Sequence, residues 1–231
     1  MYISGHPLDR CRDLVEGFST ASIQEIQENE ESRFNIGSKV KVGGIITHIR
    51  NQITKKGDIM RYAELEDLLA AAKKRNQPPF LVIAEGITDP HNLGSIIRTA
   101  NAAGAHGVVI PKNRSVALNA TVSKVSAGAV EYTPVARVTN IPQTLERLKK
   151  EGLWIVGTDL SGTQSHYECD LTGPLGVVVG SEGEGMSRLV RESCDFLVRI
   201  PMLGEIESLN ASVAAGVLLY EAVRQRRQGA K

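Results

Sequence analysis

The sequence predicts an α/β domain over residues 79–231, a mostly parallel sheet covered by helices on both faces, preceded by a small β-containing segment. Three observations carry this. From Pro79 onward, apolar runs of strand length alternate with stretches of helical periodicity. The strand-like runs are apolar throughout, as strands buried on both faces read. Polar, glycine-bearing loops (DPHN, GTD, GSEGEG, PMLG) fall at the carboxyl ends of those runs, where ligands bind in such sheets.

The elements follow in order. FLVIAEGI (80–87) is a buried strand. LGSIIRTANAAGA (93–105) sets Ile96, Ile97, Ala100 and Ala103 at helical spacing, and HGVVIP (106–111) returns to strand. ATVSKVSAGAV (120–130) reads as a short helix and YTPVARV (132–138) as a strand. IPQTLERLKKEG (141–152) is a helix with Pro142 in its first turn and Gly152 past its end. LWIVGTD (153–159) and PLGVVVGSE (174–182) are strands, MSRLVRESC (186–194) a helix, and FLVRIPM (196–202) the last strand. In PMLGEIESLNASVAAGVLLYE (201–221) a polar turn runs into a helix that Ser208 or Asn210 can cap. With Val213, Ala214, Val217, Leu218 and Tyr220 it is apolar on nearly every side, so burial is expected. Its positive N-terminal end would favour an anion forming beside it. Before Pro79, SKVKVGGIITHIRNQITKKGDIMRYAELED alternates Val40, Val42, Ile45 and Ile49 ahead of a Lys-Lys-Gly-Asp turn, as a hairpin or two strands of a small barrel would. Residues 66–76 (EDLLAAAKKRN) read as a short helix or linker, and 68–78 are expected to link the front segment to the larger domain.

Composition excludes several function classes. A net charge of +1 gives no whole-molecule basic field, so any nucleic-acid contact must use a local patch. Aromatics at 4% argue against base stacking as the main binding mode. Cys11, Cys169 and Cys194 are far apart, form no C-x-x-C pair and belong to no metal-ligand cluster, so no metal is expected and a reduced cytoplasm fits best. No apolar run reaches membrane-spanning length, and MYISGHPLDR lacks a signal-peptide layout.

Two loops can carry chemistry. GSEGEG (180–185) sits between strand and helix, where backbone N–H groups often cradle a phosphate. It lacks the G-x-G-x-x-G spacing, and Glu182 and Glu184 would repel an anion. Close backbone approach beside carboxylates suits a neutral or cationic group, such as the sulfonium of S-adenosylmethionine. In DPHNLGSIIRTA, Asn92 lies in the loop, and Gly94 and Arg98 share a helical face, so Arg98 can reach toward the loop to grip a phosphate. His91 could be an acid or base by residue type alone.

Together, DPHNLGSIIRTA, VVVGSEGEGM and IPMLGEIESLNASVAAGVLLYE resemble the three motifs of the SpoU/TrmH (SPOUT) family of RNA 2′-O-ribose methyltransferases. Within it the likeness is to RlmB-like enzymes, which methylate a guanosine ribose in 23S ribosomal RNA, and it runs from about Tyr62 to Arg227. The resemblance implies a C-terminal trefoil knot, a homodimer, S-adenosylmethionine as cofactor and RNA as partner. It implies cofactor contacts at Gly180, Ile200 and Leu209, with Thr158, Met202 and Ser212 nearby. It implies a catalytic set of Asn92, Arg98, Glu182, Ser208 and Asn210. The front end differs. YISGHPLDRCRDLVEGF and VKVGGIITHIRNQITKKGDIM resemble a bacterial DNA polymerase III α subunit, the second segment opening an OB-type barrel. Residues 1–67 are therefore expected to be a fused polymerase fragment in place of the family's usual N-terminal RNA-binding domain. A domain that binds RNA or cofactor without turnover is the alternative.

Overall fold

The computed structural model describes residues 62–228. All of them lie in the unit Gln52–Lys231, and the expected hairpin of residues 38–61 falls outside the described residues.

Among the described residues, six α-helices and seven strands follow one another as α1 (Leu65–Lys74), β1 (Phe80–Ala84), α2 (Pro90–Ala102), β2 (Gly107–Pro111), α3 (Ala120–Val125), β3 (Val135–Val138), α4 (Ile141–Lys150), β4 (Trp154–Thr158), β5 (Gln164–Ser165), β6 (Leu175–Val179), α5 (Arg188–Glu192), β7 (Phe196–Arg199) and α6 (Ala211–Gln228). The strands form one sheet in the order β3-β2-β1-β6-β4-β7-β5, every pairing parallel. From β1 the chain steps to β2 on one side, whereas from β6 it crosses to β7 on the other. The carboxyl ends of β1 and β6, paired from Phe80↔Leu175 to Ala84↔Val179, therefore flank a topological switch point, where such sheets open a crevice.

The period-two alternation of strand side chains divides the core between the two faces. Val82, Val108, Val177 and Val179 face a layer built from Leu93, Ile96 and Ile97 of α2 and Ala211, Ala215, Leu218 and Leu219 of α6. Leu81, Ile83, Val109 and Val178 face Leu65 and Leu68 of α1, Ile141, Leu145 and Leu148 of α4, and Val190 of α5.

Four elements depart from the sequence-based expectation. Residues 68–74 are not linker but the body of α1: Leu68 and Ala72 are fully buried, and a Cβ on Gly107 would lie 2.3 Å from Leu68 Cγ. Ala63 bridges in parallel to Ala136, and the Tyr62 hydroxyl accepts the Leu118 N–H at 3.0 Å, so the packed domain begins by Tyr62. The helix expected over 120–130 stops at Val125, where Ala127 and Gly128 turn to positive φ, and a single 3₁₀ turn (Ala129–Glu131) follows. β5 is a two-residue polar strand that no apolar run announces. Finally, α6 is not buried all round: Ala211, Ala215, Leu218, Leu219 and Ala222 form its core stripe, while Val213 and Tyr220 are half exposed.

Candidate functional site

Three loops meet at the carboxyl edge of the sheet: 85–89 after β1, 180–187 after β6, and 200–210 after β7. Between the last two lies a cleft of about 250 Å³. Of the six residues expected at the cofactor, five line it: Thr158, Gly180, Ile200, Met202 and Leu209. Gly180 is required by close approach, since a Cβ there would lie 2.3 Å from Gly185 C and 2.4 Å from Met186 N. The loop folds back on itself through reciprocal Ser181–Gly185 backbone hydrogen bonds of 3.0 Å, with Gly185 at φ 67. Its tip presents Glu182, Gly183 and Glu184 to the cleft.

The structure joins three of the expected catalytic residues. Asp89 caps α2, accepting the His91 and Asn92 N–H groups at 3.2 Å each, and so fixes Asn92 in the buried first turn. Asn210, rather than Ser208, caps α6. Its Oδ1 accepts from Ser212 N (2.9 Å), Ser212 Oγ (2.6 Å) and Val213 N (3.3 Å). An oxygen so committed leaves the Asn210 amide NH₂ to face the other way. There it donates to Asn92 Oδ1 at 2.9 Å and to Glu182 Oε1. One asparagine thus ties the loops after β1, β6 and β7 together.

A second, larger hollow of about 1020 Å³ is lined by loop 181–185 together with the segments that follow β1, β2 and β3. Asn92 and Glu182 line it, together with Glu85, Asp89, Arg114 and Thr139. Loop 181–185 is a wall common to both spaces.

Other expected residues are placed differently. Ser208 lines the cleft but does not cap α6. Ser212 is absent from the cleft lining, because its N–H and hydroxyl are both committed to Asn210. The N–H groups of Ser212 and Val213 are likewise taken, so these two are not free to meet an anion. Arg98 is exposed on α2, lines neither space, and has no ion pair or hydrogen bond among the described residues. His91 is exposed and lines neither.

The sequence reading missed an ion pair in the cleft wall. Arg191 Nε lies 2.8 Å from Asp159 Oδ2, and both residues line the cleft. Burial pushes the Asp159 carboxyl up, but the Ser161 hydroxyl and N–H and the Arg191 guanidinium outweigh it and hold the group below its ordinary value. Nothing local in the sequence announces the pair, since its members sit on β4's exit and α5. With Asp159, Glu182 and Glu184 against Arg191, the charged lining is net negative. Cys194 is no nucleophile: burial, reinforced by Asp195, pushes its thiol up to about 12.

Comparison with known proteins identifies the family of the chain. The model of the SpoU rRNA Methylase family matches residues 79–220. The chain is 50% identical over 224 residues to the 23S rRNA (guanosine-2′-O-)-methyltransferase RlmB of Vibrio parahaemolyticus, covering 97% of this chain and 87% of that protein. It is 44% identical over 218 residues to RlmB of Ralstonia nicotianae, covering 94% and 83%. Among solved structures, the SpoU methyltransferase AviRb from Streptomyces viridochromogenes in complex with the cofactor AdoMet superposes with a TM-score of 0.62 at 35% identity, over 66% of this chain and 62% of that one. On its motifs, its parallel sheet and these matches, the chain belongs to the SpoU rRNA methylase family.

Proposed function

We propose that this chain transfers a methyl group from S-adenosylmethionine to a ribose 2′-OH of RNA, at a guanosine of 23S ribosomal RNA. The observation that carries the reading is the Asn92–Asn210–Glu182 tie, which fixes all three motif loops around two adjoining spaces. The smaller cleft fits the cofactor. Val179, Val198, Ile200 and Leu209 offer an apolar bed for its adenine, the bare Gly180 backbone permits close approach, and the excess of carboxylates suits a cation. Bound there, S-adenosylmethionine would supply an electrophilic methyl on a positively charged sulfur.

The larger hollow takes the target nucleotide. A ribose hydroxyl is a weak nucleophile, so holding it in line with the methyl supplies a large part of the rate. Asn92 has its oxygen committed to Asn210, which leaves its NH₂ to orient the ribose. Glu182 spans both spaces and sets the distance between them. Asn210 holds the turn before α6, and Ser208 is assigned to the cleft wall beside it. Arginine keeps its proton at neutral pH, so Arg98 is assigned to clamp a substrate phosphate and stabilise the developing alkoxide.

Four finer features belong to the same proposal. Arg98 lies outside both spaces of its own chain, which favours a homodimer in which a second copy brings its Arg98 to the substrate. The exposed Leu203, Ile206, Val213 and Tyr220 on and before α6 supply an apolar face for that contact. The trefoil knot is supported by the path of the chain: it leaves β7 on one side of β6 and returns as α6 to pack on β6 and α2. Ribosomal RNA as substrate favours a cytoplasmic location; separately, no helix among the described residues is long and apolar enough to cross a membrane. Residues 62–67 belong to the packed domain, while residues 1–61 are assigned a part in substrate choice. Their polymerase origin rests on sequence likeness, whereas the alignment with the Vibrio relative covers 97% of the chain and so extends into the same residues.

The test is transfer of a labelled methyl to unmodified 23S ribosomal RNA, with the product nucleoside identified. Ribose-methylated guanosine is expected. Cofactor binding without transfer would leave a binding domain instead.

A further inference from the structure

Three residues other than glycine hold positive φ among the described residues: Asn76 (51), Arg114 (57) and Ala127 (52). Two have an ordinary reason. Asn76 follows α1, where Gln77 N–H donates to Ala72 O at 3.1 Å and Asn76 N–H to Lys73 O at 3.0 Å. Ala127 follows α3, where Gly128 N–H donates to Ser123 O at 3.4 Å and Ala127 N–H to Lys124 O at 3.1 Å. Both are left-handed closures of a helix end, which satisfy orphan carbonyls. Arg114 closes no helix. It lies in the loop after β2, is exposed, and makes no hydrogen bond or ion pair among the described residues. The loop is pinned just after it, where Val116 N–H and the Ser115 hydroxyl both donate to Ile87 O, at 2.9 and 3.1 Å.

A left-handed arginine is disfavoured by its Cβ and persists where the surroundings impose it. Here it places a long cation on the wall of the larger hollow, which Asn92 and Glu182 also line. The other charged groups lining that space are mostly engaged. Arg188 pairs with Glu192 at 3.0 Å, Glu85 accepts Ser187 N–H at 3.0 Å, Asp89 caps α2, and Glu182 bonds Asn210. Against four carboxylates in that lining (Glu85, Asp89, Glu182 and Glu184) Arg114 is the one cation there without a partner among the described residues. Resting on the proposal that this hollow receives RNA, we infer that Arg114 is a substrate-binding residue that grips a backbone phosphate next to the target nucleotide. A planar guanidinium suits a phosphate bidentately.

Arg114→Gly tests this, because glycine relieves the left-handed strain while removing the cation. The measurement is binding of an unmodified 23S ribosomal RNA fragment by the full chain across a salt series, with thermal melting and S-adenosylmethionine calorimetry alongside. The variant is expected to melt no lower than wild type and to bind the cofactor unchanged. Its RNA affinity should fall roughly ten-fold, the equivalent of one hydrogen bond to a charged group. The slope of log affinity against log salt should shrink by about 0.7 to 0.9, one phosphate contact. Wild-type affinity and slope in the variant would overturn the assignment. A fall in affinity with an unchanged slope would overturn it too, pointing to loop shape instead. Failure of the wild-type chain to bind RNA at all would remove both this inference and the proposed function.

Discussion

At the residue scale, Asn210 does two things that a single substitution can separate. Its oxygen caps α6 and its NH₂ ties Asn92 to Glu182. Asn210→Asp keeps the capping oxygen and sets a carboxylate against two acceptors. The expected outcome is a chain that melts near wild type while methyl transfer falls about 10²-fold or more, as when one transition-state stabiliser is lost. Asn210→Ala removes the cap as well and should cost a further 0.5 to 2 kcal/mol or about that in stability. The residues of this tie were legible in the motif loops, but the tie was not. Asn92 and Asn210 are 118 residues apart, and no local pattern encodes such a pairing.

His106 illustrates the same limit from the core. It is buried immediately before β2, where its Nδ1 accepts Phe80 N–H at 3.1 Å, so Nε2 carries the proton toward Gln77 Oε1 at 3.2 Å. Burial, then the nearby Arg75 and Arg226 guanidinium groups, hold its pKa below the ordinary 6.5. Above that value both folded and unfolded chains carry a neutral ring, and His106 makes no pH-dependent difference. As pH falls through it, the unfolded chain takes up a proton that the fold refuses, so stability declines. Urea midpoints measured from about pH 8 to pH 5 should fall for wild type. They should fall less for His106→Gln, and equal slopes would exclude this histidine as the source.

At the scale of elements, the alternation of apolar runs was sufficient to find six of the seven strands. Each of the six carries Val, Ile, Leu or Phe into one of the two core layers. β5 escaped because Gln164 and Ser165 are held by pairing with β7 and not by apolar burial of a run. The status of α1 was ambiguous for the opposite reason. LEDLLAAAKK has a clear apolar stripe, but only tertiary contact shows that Leu68 seats against Gly107 and thereby fastens the segment to the sheet. Leu68→Ala should therefore destabilise the methyltransferase domain by about 2 to 5 kcal/mol, the range for a buried leucine. A change under about 0.5 kcal/mol, typical of surface positions, would return residues 68–74 to the status of a linker. Chemical denaturation followed by the fluorescence of Trp154, the single tryptophan, measures it.

At the scale of the whole molecule, the parallel sheet could be anticipated from the alternation of strands and helices, and so could the edge on which ligands gather, whereas the strand order with its switch point between β1 and β6 could not. The division of that edge into two spaces by loop 181–185 could not, because it depends on the loop folding back through Ser181 and Gly185. Nor could the outward placement of Arg98. If a second copy supplies that arginine, an Arg98→Ala chain and an Asn210→Asp chain, each inactive alone, should recover part of the wild-type rate when mixed and allowed to exchange. Mixtures as inactive as their components would place Arg98 in the site of its own chain.

The central claim is that the two spaces joined by Asn92, Asn210 and Glu182 hold a methyl donor and a ribose. Its most direct test is a single-turnover reaction of the full chain with labelled S-adenosylmethionine and unmodified 23S ribosomal RNA, digested to nucleosides. The account requires label on the 2′-oxygen of a guanosine, lost in Asn210→Asp with cofactor binding retained. Label on a base, or an undiminished rate in that variant, would contradict it.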